Sequence, residues 1–190
     1  MSNEMLYRAF DWESCDIEVR SEGDDWGLDG IAVPYNVEQR IDRNLVESFA
    51  PGVVNHQMNA ANRVFLMQNH RAHGGVYIGK LRSMRDDAKG LRIDAKISKT
   101  STGSDTRELM RDKVMEHLSV GFYPVQSSKS PNGTIVRTKV NLFEVAVVPR
   151  GAYGDNATVT AVRSEDETEV DRNMREAIQI IARIRKLPPL

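Results

Sequence analysis

The sequence predicts an α+β fold: a mostly antiparallel sheet, partly closed into a barrel and carrying a few helices. Three observations point there. Short strand-like runs follow one another along most of the 190 residues. A single internal segment switches to a helical period, and an Asn-Gly pair joins the last two strand-like runs, the strongest short hairpin signal in the chain. Strands do not alternate regularly with helices, so a parallel doubly wound sheet is disfavoured.

Taken in order, Glu13 to Asp25 is acidic and weakly patterned, and reads as an exposed strand or arm. Gly30 to Tyr35 is the first strong strand. Arg43 to Phe49 fits a short helix, stopped by Ala50-Pro51-Gly52. Arg63 to Gln68 is a short apolar run bounded by polar residues, which suits a buried strand that leads straight into Asn69 and His70. Val76 to Met84 and Gly90 to Ile97 partly alternate around the turn chemistry of Asp86 to Gly90, and predict a hairpin. Met110, Val114 and Leu118 fall four apart, and Asp105 with Glu108 resembles a capping box, so a helix of about three turns is expected there. Strands should follow from Ser119 to Val125 and from Thr134 to Val148. Past Val162 an acidic run, Ser164 to Glu169, reads as a linker. Met174, Ala177, Ile178, Ile181 and Ile184 then form one apolar helical face, ended by Pro188-Pro189. The expected division is an arm at 1–29, one core domain at 30–162, and a linker with a C-terminal helix at 163–190.

Apolar residues make up 40% and charged residues 28%, within the globular range. With 26 basic against 27 acidic residues the net charge is -1, so no one-sign field argues for nucleic acid or a membrane surface as partner. Cys15, the one cysteine, has no partner for an internal disulfide and no metal-ligand spacing around it. A reducing, cytoplasmic setting is expected. Neither a targeting segment nor a membrane span is apparent.

A serine hydroxyl becomes a useful nucleophile only beside a base, usually histidine, and with donors for the oxyanion that develops. Ser119 lies between a predicted helix end and a strand, followed by Val120-Gly121, where a small residue permits close backbone approach. His70 ends an apolar run and opens the glycine-containing loop Arg71-Ala72-His73-Gly74-Gly75. By themselves these contexts suit a strand-start serine and a strand-end histidine equally well. His73 stands three residues from His70, whereas the zincin motif needs four with a glutamate between, so a surface loop role is expected and no metal site. His117 suits a helix C-terminus near the dipole. His56 shows no partner signal.

Five blocks change that balance. Phe65-Leu66-Met67-Gln68-Asn69-His70, Ile78-Gly79-Lys80, Gly90-Leu91, Leu118-Ser119-Val120-Gly121-Phe122 and Leu142-Phe143-Glu144-Val145-Ala146-Val147-Val148 resemble, in order, the caudoviral prohead protease family. The resemblance covers roughly Gly30 to Val162. It implies a serine protease on a partly helical β-barrel like that of the herpesvirus assemblins. By the same resemblance His70 is the catalytic histidine, Ser119 the nucleophile, and Glu144 an acidic position able to orient His70. Glu144 has a plainer alternative as a strand carboxylate facing solvent or pairing with Lys139 or Arg137. Its apolar flanks Phe143 and Val145 favour a buried role. The natural oxyanion donors would be the backbone N–H groups of Val120 or Gly121. The chain departs from the family pattern at Arg71, where an acidic residue is common.

Peptide-bond hydrolysis follows, without metal or organic cofactor. The implied substrates and partners are the scaffolding protein or domain, a removable segment of the major capsid protein, and the protease itself, inside a procapsid assembling in the host cytoplasm. Homodimerisation is suggested only through the assemblin relationship. The C-terminal helix would serve incorporation or pack back on the barrel. Two other readings stand beside this one: an inactive procapsid-assembly or scaffold-interaction module with the same fold, and an unrelated β-rich binding domain.

Overall fold

The structure, a computed structural model, describes residues 4–10, 17–20 and 26–149. The predicted acidic linker and C-terminal helix lie outside the described residues, as does most of the acidic segment Glu13 to Asp25.

Ten described strands make one sheet: β1 (Leu6–Ala9), β2 (Glu18–Arg20), β3 (Gly27–Pro34), β4 (Gln39–Arg40), β5 (Val46–Phe49), β6 (Phe65–Gln68), β7 (Val76–Asp86), β8 (Gly90–Ile97), β9 (His117–Lys129) and β10 (Ile135–Val148). They follow the order β1-β9-β10-β6-β7-β8-β3-β2, with β5 beside β10 and β4 beside β5. Neighbours are antiparallel except where β10 runs parallel to both β5 and β6. Leu28 and Val33 of β3 share one core with Val120 and Phe122 of β9, although those strands stand far apart in the order. The sheet must therefore curl around that core, as the α+β, partly closed barrel expectation requires.

Hairpin signals translate directly. Asn132-Gly133 closes β9 onto β10, with Gly133 at φ +93°, a conformation that costs a glycine little. The β7–β8 pairing spans the turn read from Asp86 to Gly90.

Three expectations fail, each for a physical reason. The segment Arg43 to Phe49 is not helical: its second half is β5, paired with β4 and with Ile135 to Arg137 of β10. Leu45, Val46 and Phe49 mimic a helical stripe locally, and only the distant strand decides otherwise. There Glu47, 1% exposed, receives Arg8 Nε at 2.7 Å and Arg137 Nε at 2.7 Å. Two guanidiniums thus share one buried carboxylate, and removing either would leave charge poorly compensated in the interior.

The helix, α1, is Ser101–Arg111 and starts earlier than expected. Thr100 caps it: its hydroxyl accepts the Gly103 N–H at 3.0 Å, a contact whose loss costs about 1 kcal/mol. Glu108, assigned to a capping box, instead meets Arg107 and Arg111 at the far end. Gly103, Thr106 and Met110 form the buried stripe, and Lys113 at φ +58° turns the chain out of the helix. Val114 is consequently exposed, and Leu118 belongs to β9.

The third correction concerns residues 1–29, which do not form a separate arm where they are described. β1 pairs with β9, β2 with β3, and Gly27 to Asp29 already belong to β3. Docking β1 in this position sets Tyr7 opposite Gly121 of β9.

Candidate active site

Asn69 ends β6 in the left-handed region at φ +58°, a conformation that asparagine tolerates better than most residues. The chain then turns through Arg71–His73 to Gly74. Within this loop the His70 carbonyl accepts the N–H of His73 at 2.8 Å and that of Gly75 at 2.9 Å. His70 is held by its backbone before its side chain makes any bond.

Its imidazole lies between two strands' contributions. Nδ1 is 2.6 Å from Glu144 Oε1 and Nε2 is 2.5 Å from Ser119 Oγ. An ionised carboxylate only accepts, so Nδ1 carries the proton and donates it to Glu144, which leaves Nε2 free to accept the Ser119 hydroxyl. Ser119 is 1% exposed, His70 5% and Glu144 0%. The solvent-facing alternative for Glu144 is not what the structure shows, and Arg137 is engaged with Glu47. Glu144 Oε2 is buried with no hydrogen-bond partner, so the carboxylate relies on the imidazole.

The sheet register explains the alignment. Ser119 stands opposite Ala9 on one side and Ala146 on the other, so no bulky cross-strand neighbour crowds the hydroxyl. Gly121 stands opposite Tyr7 and Glu144. A Cβ at Gly121 would lie 2.7 Å from Glu144 Cγ and 3.1 Å from Tyr7 Cε1. The glycine therefore makes room for the carboxylate; its smallness was read in the sequence as access for a substrate. Gly121→Ala is expected to push Glu144 off His70 and lower kcat roughly 10²-fold, the scale of a 1 Å misplacement in an active site. Kinetics on a cleaved peptide alongside a melting curve would check this, with most of the loss in rate.

Val120 and Gly121, expected as oxyanion donors, both belong to β9. Each lies mid-strand with β1 on one side and β10 on the other. The β10 register shifts between Leu142 and Glu144, opposite Gly121 and Phe122.

Sequence reasoning missed Tyr7. Its ring tilts over His70 at a centroid distance of 4.5 Å. Burial first, and the Glu144 carboxylate second, hold its phenol above the ordinary value, so it stays neutral and adds no charge beside Glu144. No signal near Tyr7 announces this; only the β1–β9 pairing does.

The other histidines lie elsewhere. His73 is exposed, with its ring 6.1 Å from those of His70 and Tyr7. His117 is the first residue of β9 and not a helix terminus; its Nδ1 donates to the Phe10 carbonyl at 2.8 Å. His56 Nε2 is 2.9 Å from Asn141 Oδ1. Among the described residues no group of three or more His, Cys, Asp or Glu side chains is placed to hold a metal ion.

A hydroxyl, an imidazole and a carboxylate hydrogen-bonded in sequence is the arrangement that activates serine for acyl transfer. Comparison with known proteins agrees with that chemistry. The family model of the Caudovirus prohead serine protease matches residues 15–171. The chain belongs to that family. It is accordingly a serine endopeptidase, a capsid maturation protease of tailed phages. Among solved structures it is similar to the bacteriophage T4 capsid assembly protease, with a TM-score of 0.55 and 11% sequence identity, covering 76% of this chain and 96% of that one. At that identity the likeness speaks for the fold. No curated protein matches the chain significantly. No helix among the described residues of the protease is long and apolar enough to cross a membrane.

Proposed function

We propose that Ser119, His70 and Glu144 are the catalytic triad of this protease, and that it cleaves the scaffolding protein or domain, a segment of the major capsid protein, and itself inside the assembling procapsid. The observation that supports the triad best is the unbroken chain of contacts from Ser119 Oγ through His70 to Glu144 Oε1.

In this reading Ser119 Oγ attacks the scissile carbonyl carbon while its proton passes to His70 Nε2. Glu144 holds the ring in the tautomer that can accept that proton and stabilises the imidazolium formed. His70 then gives the proton to the leaving amine, the C–N bond breaks, and the acyl group stays on Ser119. Water, deprotonated by His70, adds to the acyl carbon and releases the new carboxylate with Ser119 restored. Confinement with substrates in the procapsid would raise their effective concentration and so time the cleavages.

Two readouts test the two halves of this proposal. A fluorophosphonate should phosphonylate Ser119, as located by peptide mass spectrometry, and His70→Ala should abolish the adduct. Co-expression with cognate scaffold and capsid precursors should shorten both, and the protease as well. An adduct on another residue would overturn the nucleophile; intact precursors beside a normally labelled Ser119 would overturn the substrates.

A further inference from the structure

Residues directly opposite each other in neighbouring strands carry their side chains on the same face of a sheet. Two rows follow from the register. One runs Ala9, Ser119, Ala146, Met67, Tyr77. The other runs Tyr7, Gly121, Glu144, Phe65, Lys80, Lys96. The catalytic groups therefore share a face with an aromatic floor that extends from them across the sheet. Tyr123 meets Phe143 at 6.4 Å between ring centroids, Phe143 meets Phe65 at 5.5 Å, and Phe65 meets Tyr77 at 4.9 Å.

That floor is left open at its far end. Phe65 is 39% exposed and Tyr77 50%, an unusual state for adjoining rings on a sheet. They wall a cleft of about 450 Å³ whose other side chains include Lys80, Lys96, Ser98 and Thr100. Both lysines are exposed and neither is ion-paired among the described residues. The cleft thus offers an aromatic surface for an apolar side chain and two ammonium groups for a carboxylate.

We infer that this cleft is a distal substrate subsite. It takes an extended segment of the polypeptide substrate in which an apolar or aromatic side chain lies beside an acidic one. The proposal rests on Ser119 being the nucleophile. Strands lie about 4.8 Å apart, so the cleft begins roughly 10 Å from Ser119 at β6 and ends roughly 19 Å away at β8. An extended peptide advances about 3.3 Å per residue, which places the recognised pair roughly three to six residues from the scissile bond. Continuity of the face with the triad, together with charge complementarity, selects a substrate segment as the occupant.

The test uses the full-length protease and two peptides derived from a processed junction. One extends eight residues on either side of the bond; the other is trimmed to two residues on either side. Phe65→Ala, Tyr77→Ala and the double charge reversal Lys80→Glu/Lys96→Glu are compared with wild type. For the long peptide KM should rise about tenfold with kcat within twofold, the signature of lost binding felt equally in ground and transition states. For the short peptide neither constant should change. Replacing the acidic residue of the long peptide by lysine should weaken binding to wild type and restore it to the charge-reversed protease. Equal effects on both peptides, or none on either, would overturn the subsite. Fluorophosphonate labelling of Ser119 in every variant separates these results from failure of the triad itself.

Discussion

Ser119→Ala is expected to lower kcat for peptide cleavage by about 10⁶-fold while the protease stays folded. Serine and histidine of a triad act as a unit, so removing one forfeits nearly all that the pair supplies. The geometry here gives the substitution that full effect. Ser119 Oγ is 2.5 Å from His70 Nε2, and its cross-strand neighbours are Ala9 and Ala146, which supply no substitute nucleophile. The structural cost is small by comparison: His70 Nε2 loses a partner in a buried setting, which destabilises by about 1–3 kcal/mol. Turnover of a peptide spanning a mapped junction, read beside thermal unfolding, checks both parts. A residual rate within tenfold of wild type would exclude Ser119 as nucleophile.

Glu144→Gln separates catalysis from stability more sharply. We expect kcat to fall roughly 10⁴-fold, the scale seen when a triad loses its carboxylate and the histidine settles in the wrong tautomer. Stability should hold or rise. Glu144 is fully buried, its Oε1 bonded to His70 and its Oε2 without a partner, so the native state carries a buried charge with incomplete compensation. Glutamine keeps the shape and removes that charge. A carboxylate kept only for packing would show the reverse pattern, with unfolding brought forward and rate little changed. Measuring kcat and Tm on one preparation decides between the two.

Much of the fold was legible because it rests on local chemistry. Asn132-Gly133 and the Asp86 to Gly90 turn announce their hairpins through residues that favour tight turns, and β6 announces itself by a short apolar run. The misreadings occur where a distant partner overrides a local pattern. Leu45, Val46 and Phe49 are spaced as on a helix, yet β10 claims the segment as β5. The series Met110, Val114, Leu118 is broken by Lys113 in the left-handed region. Glu108 follows Asp105 at capping-box spacing, but Thr100 had already capped the helix.

The candidate site divides in the same way. Ser119, His70 and Glu144 were named from blocks of sequence, because each sits in a run whose neighbours are themselves distinctive. Their mutual distances, the role of Gly121 in admitting Glu144, and the ring of Tyr7 over His70 come only from register between strands remote in sequence. The sequence by itself determined which blocks resemble the protease family and which turns fold the hairpins, because both are written in a few adjacent positions. The tertiary structure decided which groups meet and which are buried, because those follow from pairing across the sheet and have no local signature.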